Sequence, residues 1–225
     1  MIKDKQEIIE KIRGKKGIIS DMDGVIYHGN KLLPGAKKFV EWLKNENKSF
    51  VFLTNASERT PRELQEKLSR LGIEVGHEHF YTSALATATF LASQKENGSA
   101  YIIGEAGIIN ALYDVGYSMN NINPDYVVIG DTHSYNYEKV VTASRLVRDG
   151  AKLIGTNPDI TGPSEQGIIP ATKALVAPIE LATGKPAYYI GKPNPLMMRI
   201  ALKKLGQQRE DTLIIGDRMD TDIIA

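Results

Sequence analysis

Two pairs of carboxylates each follow a short apolar run of the sequence, near opposite ends of the chain. Asp21 and Asp23 come directly after one run, and Asp217 and Asp222 come after another. Carboxylates that lie close together repel each other unless a cation lies between them, and hard oxygen ligands suit Mg²⁺. If both runs are strands of one parallel sheet, their carboxyl ends gather at the edge where sites of such sheets form. The pattern therefore predicts a magnesium site.

Two further predicted strand ends carry side chains that suit a phosphoryl group. The run Ser49–Thr54 leads into Asn55, and a later run leads into Gly191-Lys192-Pro193. A lysine supplies the full positive charge that an anionic phosphoryl group requires. An aspartate after a strand is often only a turn or helix-capping residue, and a single Asp-x-Asp is weak evidence. Four polar strand ends of these types together favour a catalytic site.

Short apolar strands alternate with amphipathic helices along the chain, which predicts an α/β fold with a Rossmann-like parallel sheet covered on both faces. One helix has strong end signals, because Thr60 can cap it, Pro61 lies in its first turn, Glu63 completes a capping box and Gly72 can end it. The predicted strands are residues 17–20, 49–54, 100–103, 126–129, 152–154, 187–190 and 212–215. Further helices are predicted from Pro34-Gly35 onward and at about 84–94, 105–115, 136–149, 171–183 and 195–205.

The composition excludes several classes of site. The 225 residues include no cysteine, so disulfides, thiolate nucleophiles and cysteine-ligated metals are impossible. The net charge of +1 gives no overall attraction to nucleic acid or an anionic membrane. Residues 1–16 lack the apolar core of a signal peptide, and no stretch reaches the ~18 apolar residues of a spanning helix. We therefore expect a soluble, cytoplasmic protein without nucleic-acid or membrane partners, and self-association stays open.

The acidic and basic strand ends resemble the four motifs of the haloacid dehalogenase-like (HAD) hydrolases, in the same order and strand context. The first motif is Asp21-Met22-Asp23-Gly24-Val25, the second is Thr54, the third is Lys192, and the fourth is Gly216-Asp217-x-x-x-x-Asp222. Stretches outside these motifs, such as Thr156-Asn157-Pro158-Asp159, resemble the NagD-like branch, the ribonucleotide monophosphatases. The resemblance extends over nearly the whole chain, from Gly17 to Ala225.

The resemblance implies a role for each motif residue. Asp21 would attack phosphorus and form an aspartyl-phosphate, while Asp23 would protonate the leaving alcohol and then deprotonate the hydrolytic water. Thr54 and the backbone of Asn55 would bind the phosphate, and Lys192 would pair with the phosphate and Asp21. The implied substrate-binding residues are Asp23, Gly24, Thr54, Asn55 and Lys192.

The resemblance also implies a Mg²⁺ cofactor with Asp21, Asp23, Asp217 and Asp222 around it. Asp23 would contribute its backbone carbonyl, and Asp222 would act through water or another ligand. Asp220 has no role in the motif and is expected in a turn or facing solvent. The histidines are dispersed without metal-ligand spacing and are expected on the surface or in loops; His133 is the one considered for substrate contact. The four are His28, His77, His79 and His133.

A long insertion separates the second motif from the third. We predict a catalytic core from residues 1–77 and 184–225, with an inserted α/β cap domain at 78–183. The resemblance implies that such a cap excludes water and contacts the leaving group. It also implies a further helix and strand after Ala225, which this chain would lack.

The implied activity is Mg²⁺-dependent hydrolysis of phosphate monoesters, with ribonucleoside 5′-monophosphates such as UMP or GMP as the small-molecule substrate. Sugar phosphates, phosphoglycolate and p-nitrophenyl phosphate are alternative substrates. Phosphoryl transfer to another acceptor would use the same Asp21 intermediate. A non-catalytic phosphometabolite-binding module and a dehalogenase fit the residues less well, because binding alone needs no nucleophile and the acidic fourth motif favours phosphate chemistry.

Overall fold

The computed structural model describes residues 5–164 and 167–224, which form two parallel β-sheets with helices packed against them. The strands are β1 (Gly17–Ser20), β2 (Tyr27–His28), β3 (Lys31–Leu32), β4 (Ser49–Thr54), β5 (Phe80–Thr82), β6 (Ser99–Ile103), β7 (Ser118–Met119), β8 (Tyr126–Ile129), β9 (Lys152–Gly155), β10 (Thr161–Ser164), β11 (Gly167–Pro170), β12 (Tyr188–Tyr189) and β13 (Thr212–Ile215). The helices are α1 (Lys5–Gly14), α2 (Ala36–Asn45), α3 (Pro61–Arg70), α4 (Ser83–Gln94), α5 (Ala106–Asp114), α6 (Tyr137–Arg148), α7 (Thr172–Thr183) and α8 (Pro195–Leu205). Short 3₁₀ turns lie at His77–His79 and Arg209–Asp211, and a π-helical turn lies at Met219–Ile223.

The first sheet brings the two carboxylate pairs together. Its strand order is β13-β1-β4-β5, and every neighbouring pair is parallel. Within β1, Ser20 lies opposite Ile215 of β13 and Phe52 of β4. All of β1 is buried, as expected for a strand covered on both faces. The carboxyl ends of β1 and β13 are therefore neighbours, as the sequence predicted.

The second sheet is also parallel and has the strand order β12-β9-β8-β6-β7. The two sheets share one apolar core, because a single buried cluster includes Ile19 and Leu53 from the first sheet and Val128 and Ile154 from the second. Burial of this apolar surface holds the sheets together without direct strand pairing between them. The α/β fold class predicted from the sequence is confirmed.

The predicted domain boundaries at residues 78 and 184 differ by a few residues from the points where the chain passes from one sheet to the other. β5 lies inside the predicted cap, yet it pairs with β4 of the first sheet. β12 lies inside the predicted core, yet it pairs with β9 of the second sheet. β5 is too short to produce a hydrophobic period in the sequence, and the strand predicted at 187–190 carries no sign of the sheet that it joins. The division into a catalytic core and an inserted cap is kept as a proposal, with β5 in the core and β12 in the cap; the second sheet with its helices is called the insert below.

Several helix and strand ends agree with the sequence prediction. The capping box of α3 is present, because the Thr60 hydroxyl accepts a hydrogen bond from Glu63 N–H and the Glu63 carboxylate accepts one from Thr60 N–H.

The hairpins β2–β3 and β10–β11 and the helix α1 were not predicted. In the parts of the chain that the structure describes, no helix is both long and apolar enough to cross a membrane.

Candidate active site

A buried lysine connects two of the predicted acidic residues. The Nζ atom of Lys192 lies 2.8 Å from Asp21 Oδ1 and 2.7 Å from Asp222 Oδ1, and it donates a hydrogen bond to the carbonyl of Leu53 at 3.2 Å. Lys192 is only 2% exposed and Asp222 only 1%. A buried ammonium group needs such partners, because removal from water without them is costly. The third and fourth motifs therefore meet at the nucleophile position.

Burial of Asp21 and the positive charge of Lys192 have opposite effects on the pKa of Asp21. Burial raises the pKa of Asp21 to about 6, and the positive charge of Lys192 opposes part of that rise. Burial by itself lowers the pKa of Lys192, but the carboxylates of Asp21 and Asp222 outweigh it and leave the pKa raised. Lys192 is therefore charged at neutral pH and can offset the negative charge of an incoming phosphate.

Three carboxylates provide an oxygen-rich site for a divalent cation. Asp21, Asp217 and Asp222 each offer one oxygen, and these oxygens lie within 4.8 Å of one another. An all-oxygen donor set that carries several negative charges fits Mg²⁺. Asp23 is not one of these three residues, and its backbone carbonyl stays a predicted ligand.

A glycine makes room for the acidic loop. Gly24 has φ +80°, a left-handed conformation that side chains rarely adopt, and its N–H donates to the carbonyl of Tyr27 at 2.8 Å. A Cβ atom at Gly24 would overlap the carboxylate of Asp217. The tight turn after Asp23 thus allows the first and fourth motifs to approach each other.

The predicted acid, Asp23, is half-buried beside Asp21 in the same cleft. Burial raises the pKa of Asp23, and Lys67 and His28 oppose that rise. A raised pKa suits a carboxyl group that must hold a proton for the leaving alcohol.

The end of β4 supplies both a hydroxyl group and an amide. Thr54 is buried, and its hydroxyl accepts a hydrogen bond from Ala56 N–H at 3.1 Å, so its own hydrogen can point to a ligand. The Asn55 side chain accepts from Lys192 N–H at 2.7 Å and donates to Lys192 C=O at 3.1 Å. The sequence predicted only a backbone role for Asn55, and this side-chain role was missed.

A cleft of about 340 Å³ opens in front of these residues. Loops of the first sheet form one wall, and the second sheet with the β10–β11 hairpin forms the other. The lining residues are Asp21, Asp23, Gly24, His28, Thr54, Asn55, Ala56, Glu58, Asp131, Thr132, His133, Asn157, Asp159, Thr161, Gly162, Pro163, Ile169, Pro170, Ala171, Lys192, Asp217, Arg218 and Thr221. Every predicted site residue except Asp222 lines the cleft, and Asp222 lies behind Lys192.

Comparisons with known proteins agree with this geometry. Residues 18–118 match a family model described as haloacid dehalogenase-like hydrolase, and residues 189–225 match one described as HAD-hydrolase-like. The chain is 48% identical to dihydroxyacetone phosphatase of Corynebacterium glutamicum, over 91% of this chain and 74% of that protein. It is 41% identical to ribonucleotide monophosphatase NagD of Escherichia coli, over 93% of this chain and 82% of that protein.

The chain belongs to the haloacid dehalogenase-like hydrolases. The solved structure of NagD from E. coli K-12 superposes with a TM-score of 0.87 at 40% identity, covering 93% of this chain and 82% of that one. The predicted NagD-like branch is thereby confirmed, and the chain is an enzyme of the HAD phosphatase type.

One cleft residue of this HAD-like enzyme was missed in the sequence. The carboxylate of Asp131, just beyond β8, accepts hydrogen bonds from N–H and hydroxyl groups of both Ser57 and Thr172 and from the Asn157 amide. Burial raises the pKa of Asp131. Its position after a predicted strand was the one available signal, and its partners are far away in sequence. Asp131 links the loop after β4 to the second sheet.

The four histidines and Asp220 are the remaining residues that the sequence analysis considered. His28 and His133 are exposed and line the cleft, whereas His79 stacks on Phe50 with ring centroids 4.0 Å apart. His77 is half exposed in the same short turn as His79. The Asp220 side chain is 69% exposed and pairs with Arg218 at 2.7 Å, in agreement with its expected solvent-facing position.

Proposed function

We propose that this enzyme is a Mg²⁺-dependent phosphatase that hydrolyses phosphate monoesters through an aspartyl-phosphate on Asp21. The observation that supports it most is the buried Lys192, whose Nζ lies within 2.8 Å of both Asp21 and Asp222. A lysine in that position neutralises the nucleophile and an incoming phosphate at once. The nearby oxygens of Asp217 complete a donor set of the type that Mg²⁺ prefers.

The proposed reaction has two steps. An oxygen of Asp21 attacks phosphorus, the bond from phosphorus to the ester oxygen breaks, and Asp23 gives its proton to the leaving alcohol. Asp23 then removes a proton from water, which attacks the aspartyl-phosphate and releases free phosphate and the regenerated carboxylate. Thr54 and Lys192 hold the phosphoryl oxygens during both steps. Bound Mg²⁺ would stabilise the negative charge that develops on the phosphoryl group.

We propose short hydroxylated phosphate esters as the preferred substrates. Among the described residues that line the cleft, none is Phe, Tyr or Trp, so the aromatic rings that the described part of the wall offers to a nucleobase are the small imidazoles of His28 and His133. Beyond the phosphate position the wall instead contains Glu58, Thr132 and His133, which can bind hydroxyl groups. The relative with 48% identity, named dihydroxyacetone phosphatase, supports the same class.

Ribonucleoside 5′-monophosphates such as UMP or GMP are the second candidate. The resemblance of the sequence to the NagD-like branch led to them, and the 41% identity to ribonucleotide monophosphatase NagD supports them. Sugar phosphates lie between the two candidates in size, and phosphoglycolate is slightly smaller than the three-carbon esters. A cytoplasmic location and self-association are kept as predictions.

A phosphate-release assay tests the proposal. Dihydroxyacetone phosphate, glycerol 3-phosphate, phosphoglycolate, UMP and GMP are compared with and without Mg²⁺. We expect release that requires Mg²⁺, is abolished by Asp21→Asn, and has its highest kcat/KM on the three-carbon esters. The matched control, Asp149→Asn, changes an exposed aspartate outside the cleft and should leave turnover unchanged. Full turnover by Asp21→Asn would refute the mechanism, and faster turnover of UMP or GMP would refute the substrate class. Transfer of phosphate to an added alcohol instead of free phosphate would favour a phosphotransferase.

A further inference from the structure

Five residues form a closed ring of hydrogen bonds that links the insert to two loops of the catalytic core. Each residue contacts the next, and the last contacts the first. In order, the contacts are Asp159 Oδ2 with Asn55 Nδ2 (2.8 Å), Asn55 Oδ1 with Lys192 N–H (2.7 Å), Lys192 Nζ with Asp222 Oδ1 (2.7 Å), Asp222 Oδ2 with Arg218 N–H (3.2 Å), and Arg218 Nη1 with Asp159 Oδ1 (2.8 Å). Asp159 is the one member that lies outside the core segments.

Asp159 is held firmly on its own side of the ring. Its N–H donates to Asn157 Oδ1 at 3.1 Å, and its carbonyl accepts from the N–H of Lys173 at 2.9 Å, in the first turn of α7. The Asp159 side chain is only 12% exposed. Both carboxylate oxygens are used, one for each core loop, so a change in the position of the insert would be transmitted to both loops.

The core side of the ring ends on groups that act on the phosphoryl group. Asn55 binds the backbone of Lys192 at both its N–H and its C=O, which fixes where the lysine side chain begins. Arg218 N–H binds Asp222, and Asp222 in turn binds Lys192 Nζ. Asp217, the neighbour of Arg218 in sequence, belongs to the predicted metal site. Displacement of either loop would move the lysine charge or a carboxylate relative to Asp21.

We infer that Asp159 is a positioning residue for catalysis, which aligns Lys192 and the acidic loop with Asp21 when the insert is in place. The inference rests on the proposed phosphatase activity. Asp159 does not touch the reacting atoms; it acts through Asn55 and Arg218. Charge-assisted hydrogen bonds are short and directional, and misplacement of catalytic groups by about 1 Å can cost about 100-fold in rate.

Double-mutant kinetics distinguish positioning from an ordinary structural ion pair. We expect Asp159→Ala to lower kcat by about 30-fold and Arg218→Ala to lower it by about 10-fold, with KM changed less than about threefold. If Asp159 and Arg218 act through the same ring, kcat of the double variant should fall by about 30-fold. Independent effects of the two substitutions would instead lower kcat by roughly 300-fold. Asp159→Asn keeps the side-chain shape but can accept from only one partner at a time, so it should fall between wild type and Asp159→Ala, and it replaces Asp159→Ala if that variant fails to fold.

Mg²⁺ binding gives a readout that does not depend on turnover. Isothermal titration of the full chain with Mg²⁺ should show affinity about fivefold to tenfold weaker in Asp159→Ala, because Arg218 and Asp222 lose a fixed position. Asp149→Asn, an exposed aspartate of the insert, should change neither kcat nor Mg²⁺ affinity. A kcat and Mg²⁺ affinity of Asp159→Ala within twofold of wild type, or losses that multiply in the double variant, would overturn the inference. If the wild type released no phosphate from any ester, the proposed function would fail, and the Mg²⁺ titration alone would decide the role of Asp159.

Discussion

Removal of the Lys192 charge should separate stability from activity in this enzyme. Lys192 Nζ is the cation in contact with both Asp21 and Asp222, and its side chain is 3% exposed. Lys192→Met keeps most of the volume and removes the charge. Loss of one partner of a buried ion pair costs about 3–5 kcal/mol, because the remaining charges stay buried without compensation. For a chain of this size that corresponds to a fall of roughly 10 °C in Tm.

A second substitution should restore part of this stability without restoring activity. In Lys192→Met/Asp222→Asn one of the two uncompensated carboxylates becomes a neutral amide, so the double variant should unfold at a higher temperature than Lys192→Met. Both variants should hydrolyse esters about 10³-fold more slowly than wild type, since neither offers the lysine ammonium group to the phosphoryl group. Mg²⁺ should raise the Tm of Lys192→Met more than that of the double variant, because it neutralises the carboxylates that remain.

Thermal unfolding by circular dichroism in EDTA and in Mg²⁺, together with phosphate release, measures both effects. Lys38→Met serves as the control, because Lys38 is exposed on α2 outside the cleft, and surface substitutions usually change stability by less than about 0.5 kcal/mol. The reasoning would be refuted by a double variant less stable than Lys192→Met, or by a Lys192→Met protein with wild-type Tm.

Three other predictions concern different elements of the structure. Burial raises the pKa of Asp21 from its ordinary value of 3.8 to about 6, so ionisation of Asp21 costs stability as pH rises through this window. In EDTA, Asp21→Asn should therefore gain up to about 3 kcal/mol relative to wild type between pH 4 and pH 7, measured by urea unfolding, and a pH-independent difference would contradict this. Gly24→Ala should weaken Mg²⁺ binding at least tenfold in a calorimetric titration. An alanine in the left-handed conformation costs about 1–2 kcal/mol, and its Cβ atom would displace the carboxylate of Asp217. An unchanged Mg²⁺ affinity would show that the loop adapts. Thr60→Ala should lower the free energy of unfolding in urea by about 1 kcal/mol, because it removes the helix cap that binds Glu63. We expect kcat to stay unchanged, and a fall in kcat would mean that α3 positions the site.

The chemical motifs could be predicted because a parallel sheet turns a position in sequence into a position in space. Asp21 and Asp217 each follow a buried strand, β1 and β13 are neighbours, and their carboxyl ends must then meet. Lys192 also follows a predicted strand, but β12 belongs to the second sheet, so its residue type and the resemblance, not strand order, pointed to its place beside Asp21. The strands β1, β4, β8 and β13 were predicted at their observed bounds, because short, mostly apolar runs between turns have few alternative readings.

Residues that join the two sheets could not be predicted in this way. Asp131 binds Ser57 across 74 positions of sequence, and Asp159 binds Asn55 across 104. No local hydrophobic period or residue spacing in the sequence indicates such a contact, because the contact depends on how the two sheets pack together. The β10–β11 hairpin was missed for a local reason: its residues include Gly162, Pro163 and Pro170, which propensity assigns to turns.

The same contacts hold both ends of the β10–β11 hairpin, which lines the cleft. β10 begins two residues after Asp159, which binds Asn55, and β11 ends two residues before Thr172, whose hydroxyl binds Asp131 at 2.8 Å. Both ends of the hairpin are therefore fixed, directly or through Asp131, to the loop that follows Thr54, the proposed phosphate-binding residue. Its own residues are mostly exposed or half-buried and face the cleft through Pro163 and Ile169. Substitutions within the hairpin should change contacts with the leaving group, while substitutions at its two anchors should change the rate for every substrate.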